Sequence, residues 1–384
     1  MLPFSTYEFF LVMGAFIGVL LLCKLWLQDS SYKYVLAILN LLFLAVFFPQ
    51  PWHFFGLIIY SYFFVYLFSS VLKPKLKIWG IIVLLLPMLL VKFEIQIASY
   101  PFKINNLLSF AGLSYASFRI VGYYMDKAPT EKMANPLTYF NFLSFTPTLL
   151  IGPIERFGRF QAAEATGFST LTSEHFIKGW NALLKGLVFK YICAEVVDRY
   201  WLGGLEGTAY SGLSHVNDYY AYYFYLFFDF AGYSFMALGI GYMMGMVVPV
   251  NFTNPFVAVN PQDFWRRFHI SLGDWLKDYF FTPLYLFLTR KKQLKKYPIT
   301  RQNTALLLTF TLMGCWNGFT SNFVLSGLLF GSYSLIHNTY MIQCKKKNKD
   351  VVFGNMNPKH VRLISIFVTF HLTAFALYVF SGRF

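Results

Sequence analysis

Residues 260–283, with the sequence NPQDFWRRFHISLGDWLKDYFFTP, form the densest run of charged and polar side chains in an otherwise apolar chain. The pattern predicts one helix, because Asn260 can cap it, Pro261 suits its first position and Pro283 disfavours its continuation. Four side chains recur at helical spacing and would share one face: Trp265, His269, Leu272 and Leu276. So much charge is costly in lipid, so we expect this helix at the membrane interface or enclosed by other helices.

The composition excludes an ordinary soluble domain. Of the 384 residues 57% are hydrophobic and only 13% are charged, which is roughly half the charged share of a typical soluble protein. The runs Phe9–Leu22 and Ile81–Leu90 contain no charge at all. We therefore predict an all-α polytopic membrane protein that forms one membrane domain over residues 1–384.

About eleven apolar segments are candidate membrane helices, and not all of them need to be full spans. If the basic loops all face the cytoplasm, at least one segment between residues 126 and 290 must be re-entrant or half-length. Irregular backbone is tolerated at membrane depth only where it is buried in protein or lines a cavity, so this mismatch favours a polar cavity. The segments are 8–27, 35–49, 52–72, 78–93, 104–125, 136–151, 176–202, 217–247, 302–316, 320–342 and 361–380.

The formal net charge of +15 comes from basic residues in short loops between apolar segments. This is the pattern of positively charged cytoplasmic loops, so we expect contact with anionic headgroups rather than with nucleic acid. An acidic cytoplasmic partner would suit the same loops. The residues are Lys73, Lys75 and Lys77, then Arg290, Lys291, Lys292, Lys295 and Lys296, and finally Lys345, Lys346, Lys347 and Lys349.

His269 is the leading candidate for chemistry, because ionisable groups enclosed in membrane proteins are rare. A structural histidine bonded to a carbonyl is the alternative. Asp229 lies in an apolar, aromatic segment and needs a partner or a proton, and Arg266 or Arg267 would serve; structural pairing is preferred to catalysis. Asn317, beside Cys315 and Trp316, must find hydrogen-bond partners.

No soluble catalytic template fits the sequence. It has no P-loop, no GxSxG, no HExxH and no CxxC motif, and its four cysteines show no spacing typical of a metal site or a disulfide framework. His337 and His371 are each isolated in apolar segments, which favours structural roles. A polar cavity, histidines at depth and basic loops suit a group-transferring membrane enzyme and also suit a transporter.

Several motifs together resemble the membrane-bound O-acyltransferase (MBOAT) family, and within it the bacterial D-alanyl transfer branch. The similarity runs from about Gly112 to the C-terminus, and the earlier segments match only in hydropathy. The motifs are FWRRFHISLGDWLKDYFF at 264–281, LFFDFAGYSFMALGIGYMMG at 226–245, VNFTNPF at 250–256, FTPTLLIGPIERFGRF at 145–160, GLSYASFR at 112–119 and FVTFHLTAFALYVFSG at 367–382.

This resemblance implies a ring of about eleven transmembrane helices around a central polar funnel or tunnel, with re-entrant or interfacial helices. Residues 1–110 would be peripheral helices, 111–343 the core with the signature motifs, and 344–384 the C-terminal basic loop and last helix. The protein would be a multi-pass protein of a bacterial plasma membrane. It would pass D-alanine from a carrier protein across the membrane towards a teichoic-acid-type acceptor, assisted by a membrane-anchored partner.

The resemblance also implies that no cofactor or metal is bound, because phosphopantetheine arrives on the acidic carrier, which would dock on the basic loop from Arg290 to Lys296. Two histidines serve the family. One corresponds to His269, which would polarise the thioester or position the acceptor. The other lies in a Trp-His-Gly sequence, which here reads Trp316-Asn317-Gly318. Trp265, Trp316 and Asp229 would line the passage.

An asparagine amide is not basic and cannot take the proton of the acceptor. The sequence leaves three explanations open: another base acts, the protein is an inactive natural or engineered form, or His337 reaches the site. It also leaves a catalytically silent scaffold, an O-acetyltransferase of a cell-surface polysaccharide and a transporter as alternative functions.

Overall fold

The computed structural model describes residues 4, 6–72, 76–96, 112–202, 212–346 and 356–383. The first part of the predicted segment 104–125 and four of the basic residues, Lys73, Lys75, Lys347 and Lys349, lie outside these ranges. Within them regular structure is helical, and the extended pairing is an isolated antiparallel bridge between Phe252 and Phe268. The expected all-α fold is confirmed.

The chain divides into two compact units, each described here by itself. The first comprises Met1–Val188 and Gly232–Val250, and the second comprises Phe189–Ala231 and Asn251–Phe384. Helices of the first unit are α1 Tyr7–Lys24, α2 Asp29–Phe47, α3 Pro51–Tyr66, α4 Lys77–Gln96, α5 Leu113–Asp126, α6 Pro136–Ser144, α7 Thr146–Leu149, α8 Phe157–Ala165, α9 Gly167–Thr170 and α10 Ser173–Val188.

The predicted segment 136–151 is interrupted in the structure. Its helices α6 and α7 have 9 and 4 residues, whereas a membrane span needs about 20. The fully buried Arg119 of α5 holds the break, because its guanidinium donates to the Phe142 carbonyl (2.9 Å) and to the Thr148 carbonyl. A cation at the last carbonyls of a helix is well placed to end it.

Gly112 explains why α5 can begin against this break. Its φ is +93°, in the left-handed region, and a side chain there would collide with the Leu149 carbonyl oxygen. Only glycine meets both conditions without strain.

The polar stretch that follows α7 contains a local ion pair. Glu155 is buried, and its carboxylate lies 2.7 Å from Arg159. Burial raises the pKa of Glu155 above its usual value.

The second unit contains the signature stretch and the C-terminal helices. The long helix α11 runs over Gly212–Met243, and its residues up to Ala231 belong to this unit. The remaining helices are α12 Pro261–Trp265, α13 Ile270–Leu276, α14 Thr282–Arg290, α15 Pro298–Asn317, α16 Ser321–Lys346 and α17 Pro358–Ser381.

Helices α15 and α16 form a close antiparallel pair. Asn303 donates to Thr339 Oγ1 (2.8 Å), and the rings of Phe310 and Phe330 lie 6.5 Å apart. Side chains at Gly314 or Gly327 would collide with carbonyl oxygens of the opposite helix, so small residues permit the approach.

Helix α17 continues the antiparallel order, with Ser326 of α16 donating to the Ala376 carbonyl (2.8 Å). The start of α15, the end of α16 and the start of α17 therefore lie at one end of this three-helix group. We call it the basic end, because the residues at or beside it include Arg290–Lys296, Lys345, Lys346, Lys359 and Arg362. Asn317 lies at the opposite end.

Five helices of the described residues are long and apolar enough to cross a membrane: Tyr7–Lys24, Asp29–Phe47, Pro51–Val71, His215–Met243 and Pro358–Ser381. Helices α15 and α16, of 20 and 26 residues, are long enough but less apolar. The expected count of about eleven spans and the central tunnel stay predictions.

Candidate functional site

The signature stretch is not the single helix that its pattern predicts. Asn260 does cap α12, accepting a hydrogen bond from the Asp263 N–H at 2.8 Å, and Pro261 is its first residue. The helix ends at Trp265, however, and His269 adopts left-handed backbone angles (φ 50°, ψ 51°) before α13 begins. The expected shared face of Trp265, His269, Leu272 and Leu276 is therefore wrong, because the break lies between the first two.

Asn251 supplies the physical reason for the break. Its backbone carbonyl accepts from the Ile270 N–H (3.0 Å), and its side-chain oxygen accepts from the Ser271 N–H (3.1 Å). Thr253 adds a bond from its N–H to the Arg267 carbonyl (3.0 Å). A neighbouring segment thus satisfies the first donors of α13, which an unbroken helix would have bonded internally.

The expected end of the helix before Pro283 is also wrong. Helical structure continues from Ile270 to Arg290, through a π-helical stretch at Lys277–Phe281 and into α14. Pro283 lies in the first turn of α14. Proline has no N–H to donate, so one helical hydrogen bond is missing there, and it falls where the wider π-helical turn gives way to α14.

His269 is enclosed and lacks a partner at one ring nitrogen. Its Nε2 is buried with no hydrogen-bond partner among the described residues, and the Phe230 ring meets it edge-on at 4.6 Å. Burial lowers the pKa of His269 from 6.5 to about 3. The imidazole is therefore neutral at physiological pH, and its orphaned nitrogen is suited to a polar group of a ligand.

Trp265 carries a second orphaned polar atom in the same stretch. Its indole Nε1 is buried without a partner among the described residues. Its ring lies 4.8 Å from Phe330 of α16 and 5.6 Å from Phe310 of α15, at the middle of that helix pair. Two unsatisfied buried polar groups within one short stretch are unusual and mark a candidate binding site.

Asn317 has a different environment from His269. It ends α15, is exposed, and its amide donates to the Met313 carbonyl at 3.0 Å. Trp316 beside it is half-buried. The expected need of Asn317 for a hydrogen-bond partner is thus met within its own helix.

The structure separates Asn317 from His337. Asn317 lies seven residues beyond Phe310, and His337 lies seven residues beyond Phe330, in opposite directions along antiparallel helices. At 1.5 Å per residue they are about 21 Å apart along the helix axes. His337 therefore does not reach the position of Asn317, and lies towards the basic end instead.

Asp229 has a partner that the sequence did not predict. Lys190, in the π-helical turn Phe189–Ala194, forms an ion pair with it. The expected partners Arg266 and Arg267 instead face Asp263, at 3.8 and 3.1 Å. Structural pairing of Asp229 was the preferred interpretation, and the structure contains such a pair with a different cation.

The five basic residues predicted to dock a carrier are all exposed, in the connection from α14 to α15: Arg290, Lys291, Lys292, Lys295 and Lys296. Lys291 lies over the Phe287 ring at 4.5 Å. Their common position at the basic end gives a surface that attracts anionic groups.

Sequence reasoning missed two residues that shape the site. Lys190 was detectable as a lone cation within an apolar segment, which requires an anion nearby. Asn251 was detectable as an asparagine shortly after the apolar segment 217–247, in VNFTNPF. Its hydrogen bonds to Ile270 and Ser271 depend on tertiary structure, so the pattern alone could not assign them.

Comparison with known proteins connects this geometry to a family. The sequence model of the membrane-bound O-acyltransferase family matches residues 25–355. The chain belongs to the membrane-bound O-acyltransferase family. MBOAT proteins are membrane acyltransferases, so the predicted resemblance and the membrane class are both confirmed.

Individual relatives lie in two branches of the MBOAT family. The teichoic acid D-alanyltransferase of Bacillus subtilis (strain 168) is 30% identical over 100% of this chain and 98% of that protein. That of Streptococcus thermophilus is 32% identical over 77% of this chain and 73% of that protein. The probable alginate O-acetylase AlgI of Pseudomonas syringae pv. tomato is 31% identical over 66% of this chain but 47% of its own length.

Proposed function

We propose that this MBOAT protein transfers D-alanine from the thioester of a phosphopantetheine-bearing carrier protein towards a teichoic-acid-type acceptor. The full-length similarity to teichoic acid D-alanyltransferases supports this substrate class. The observation that carries the proposal is the pair of orphaned buried atoms, His269 Nε2 and Trp265 Nε1, within the family signature. They are suited to hold the polar atoms of a small activated group.

The chemistry is acyl transfer from sulfur to oxygen. The acceptor hydroxyl oxygen bonds to the thioester carbonyl carbon, the carbon–sulfur bond breaks, and the hydroxyl proton finally resides on the thiol of the carrier. A histidine with a pKa of about 3 is a weak base at neutral pH, because an efficient general base has a pKa near the working pH. We therefore assign His269 to hydrogen bonding of the reacting group rather than to proton abstraction.

The step also requires a group that takes the proton of the acceptor hydroxyl. Asn317 occupies the position of the family base and cannot act as one. His337 is separated from it by about 21 Å along the helices. We infer that transfer is slow in this chain unless a base comes with the partner proteins, which keeps a scaffold role as the second candidate.

The basic end indicates the membrane face on which the carrier would dock. Positively charged loops favour the cytoplasmic face, and Arg290–Lys296 there would attract an acidic carrier by long-range electrostatics. Asn317, at the opposite end of α15, would then lie towards the outer face. We also propose a plasma-membrane location, in line with the full-length similarity to teichoic acid D-alanyltransferases.

The test uses purified full-length protein with carrier loaded with D-alanine or, in parallel, with acetate. Loss of the D-alanyl thioester that requires this protein and slows in His269→Ala supports the proposal; His175→Ala, which removes a half-buried histidine of α10, is the matched control. Preference for acetyl carrier would support the O-acetyltransferase alternative, for which the AlgI similarity speaks. Carrier binding without thioester loss in any variant would leave the scaffold role and overturn transfer.

A further inference from the structure

A cavity of about 720 Å³ lies between α16 and α17 within the second unit. Ile336, His337 and Tyr340 line it from α16, and Ile364, Ser365 and Val368 line it from α17. The start of the signature stretch, at Val259–Pro261, also lines it. The volume falls in the range of small-molecule sites, roughly 300–1,000 Å³.

The cavity lies towards the basic end of the two helices. At the opposite end they are tightly joined: Asn322 donates to the Phe380 carbonyl at 2.8 Å, and the rings of Phe323 and Phe380 lie 4.8 Å apart. From there the lining residues recur every three or four positions along both helices, so two facing stripes bound a wedge.

The wedge is partly open at its side. Three of its lining hydrophobic residues remain substantially exposed: Ile336 at 64%, Ile364 at 46% and Val368 at 47%. In a membrane protein such a surface faces acyl chains, so an apolar occupant can enter laterally from the bilayer. A water-filled cleft is disfavoured, because water needs several polar partners and this lining offers few.

Cationic side chains lie on both stripes towards the basic end of the wedge. Lys345 follows His337 and Met341 at intervals of four on α16, and Arg362 precedes Ser365 and Thr369 at intervals of three and seven on α17. Both cations are exposed. The described residues 341–346 and 356–365 contain no aspartate or glutamate. An apolar slot that leads to exposed cations is complementary to a molecule with a hydrocarbon tail and an anionic head.

We propose that this wedge binds one anionic phospholipid, with an acyl chain between α16 and α17 and the phosphate between Lys345 and Arg362. His337 and Tyr340 are placed to donate hydrogen bonds to the ester region. The acyl chain of the lipid would contact Val259–Pro261, at the start of α12, which carries Trp265. The lipid would thereby stabilise the N-terminal cap of α12. This inference does not depend on the acyl group that the protein transfers.

The test measures retained lipid by native mass spectrometry of the full-length protein, released from nanodiscs that contain equal phosphatidylglycerol and phosphatidylcholine. We expect one phosphatidylglycerol to be retained. Ser365→Trp fills the wedge and should abolish retention, whereas Leu363→Trp, an exposed position that does not line the wedge, should not. Lys345→Ala and Arg362→Ala should each lower the affinity about fivefold, the effect of one cation near an anionic headgroup.

Equal retention of the two lipids, or retention unchanged in Ser365→Trp, would overturn the proposal. The alternative occupant of the wedge is the phosphopantetheine arm of the carrier. If Ser365→Trp exposes the carrier thiol to alkylation while lipid retention is unchanged, the arm occupies the wedge and the lipid proposal is overturned. Unchanged thermal unfolding of Ser365→Trp in the absence of lipid establishes that the substitution acts by filling the wedge.

Discussion

His269 and Asn317, the two positions that the family resemblance pairs, have opposite environments in the second unit. His269 is held in a left-handed conformation between two helices, and its Nε2 is buried without a partner among the described residues. Asn317 is exposed at a helix end and bonds to the carbonyl of Met313. The protein thus maintains an energetically costly arrangement at one position and a relaxed one at the other.

The difference indicates where this chain retains chemical capability. A strained backbone and an unsatisfied buried nitrogen persist only when the surrounding structure enforces them, and Asn251 does so here through two hydrogen bonds. At Asn317 the amide is satisfied locally. Under the proposed function, this contrast predicts that the acyl group still binds at His269 and that proton transfer is the impaired step.

Removal of His269 is the strongest way to test this contrast. We expect His269→Ala to reduce D-alanyl transfer about a hundred- to a thousand-fold, the usual effect of losing one hydrogen-bonding group at the reacting atoms, with carrier affinity unchanged. Single-turnover thioester loss at saturating carrier measures it. A variant with more than half of the wild-type rate would show that the enclosed nitrogen is a structural feature only.

Restoration of a base at the relaxed position is the next largest effect. We expect Asn317→His to raise transfer at least about tenfold, because an exposed imidazole with an ordinary pKa can accept a proton at neutral pH. The same assay, with Ser321→His as a matched change at an exposed position near the same helix ends, measures the gain. An equal gain in both variants, or none in either, would show that position 317 does not lack a base.

The two positions also show how far the sequence could be read. The capped start at Asn260, the helical class and the family motifs followed from local residue pattern. The break at His269 did not, because its cause is Asn251, which is 18 residues distant in the chain. Pro283 misled in the same way, since a π-helical turn absorbed it. The ion pair of Asp229 with Lys190 likewise required the packing of two separate segments.

Acidification should distinguish the two environments through stability. The folded protein holds His269 neutral with a pKa of about 3, against 6.5 for an unperturbed histidine. Between these values the unfolded chain binds the extra proton, so stability falls as the pH drops below 6.5, by about 1.4 kcal/mol per pH unit.

Thermal unfolding in detergent at pH 7 and pH 5 measures this dependence. Wild type should lose about 2 kcal/mol more than His269→Gln, which cannot titrate, over the 1.5 units below 6.5. Asn317→His should lose no additional stability, because an exposed histidine titrates alike in both states. Identical pH dependence of wild type and His269→Gln would mean that water reaches the imidazole.

The smallest effect concerns the support of His269 rather than its ring. Asn251→Ala removes the side-chain oxygen that accepts from Ser271, and loss of such a cap costs about 1 kcal/mol.

Asn357→Ala is the matched control, because it removes an equivalent cap from the start of α17, where Asn357 accepts from the Lys359 N–H at 2.9 Å. The two variants should unfold at similar temperatures but differ in catalysis. Only Asn251→Ala should lower single-turnover transfer, since only there does the lost bond hold the backbone beside His269. Equal rates in both variants would show that the left-handed turn forms without Asn251, and that the strain at His269 is enforced by the aromatic packing around it.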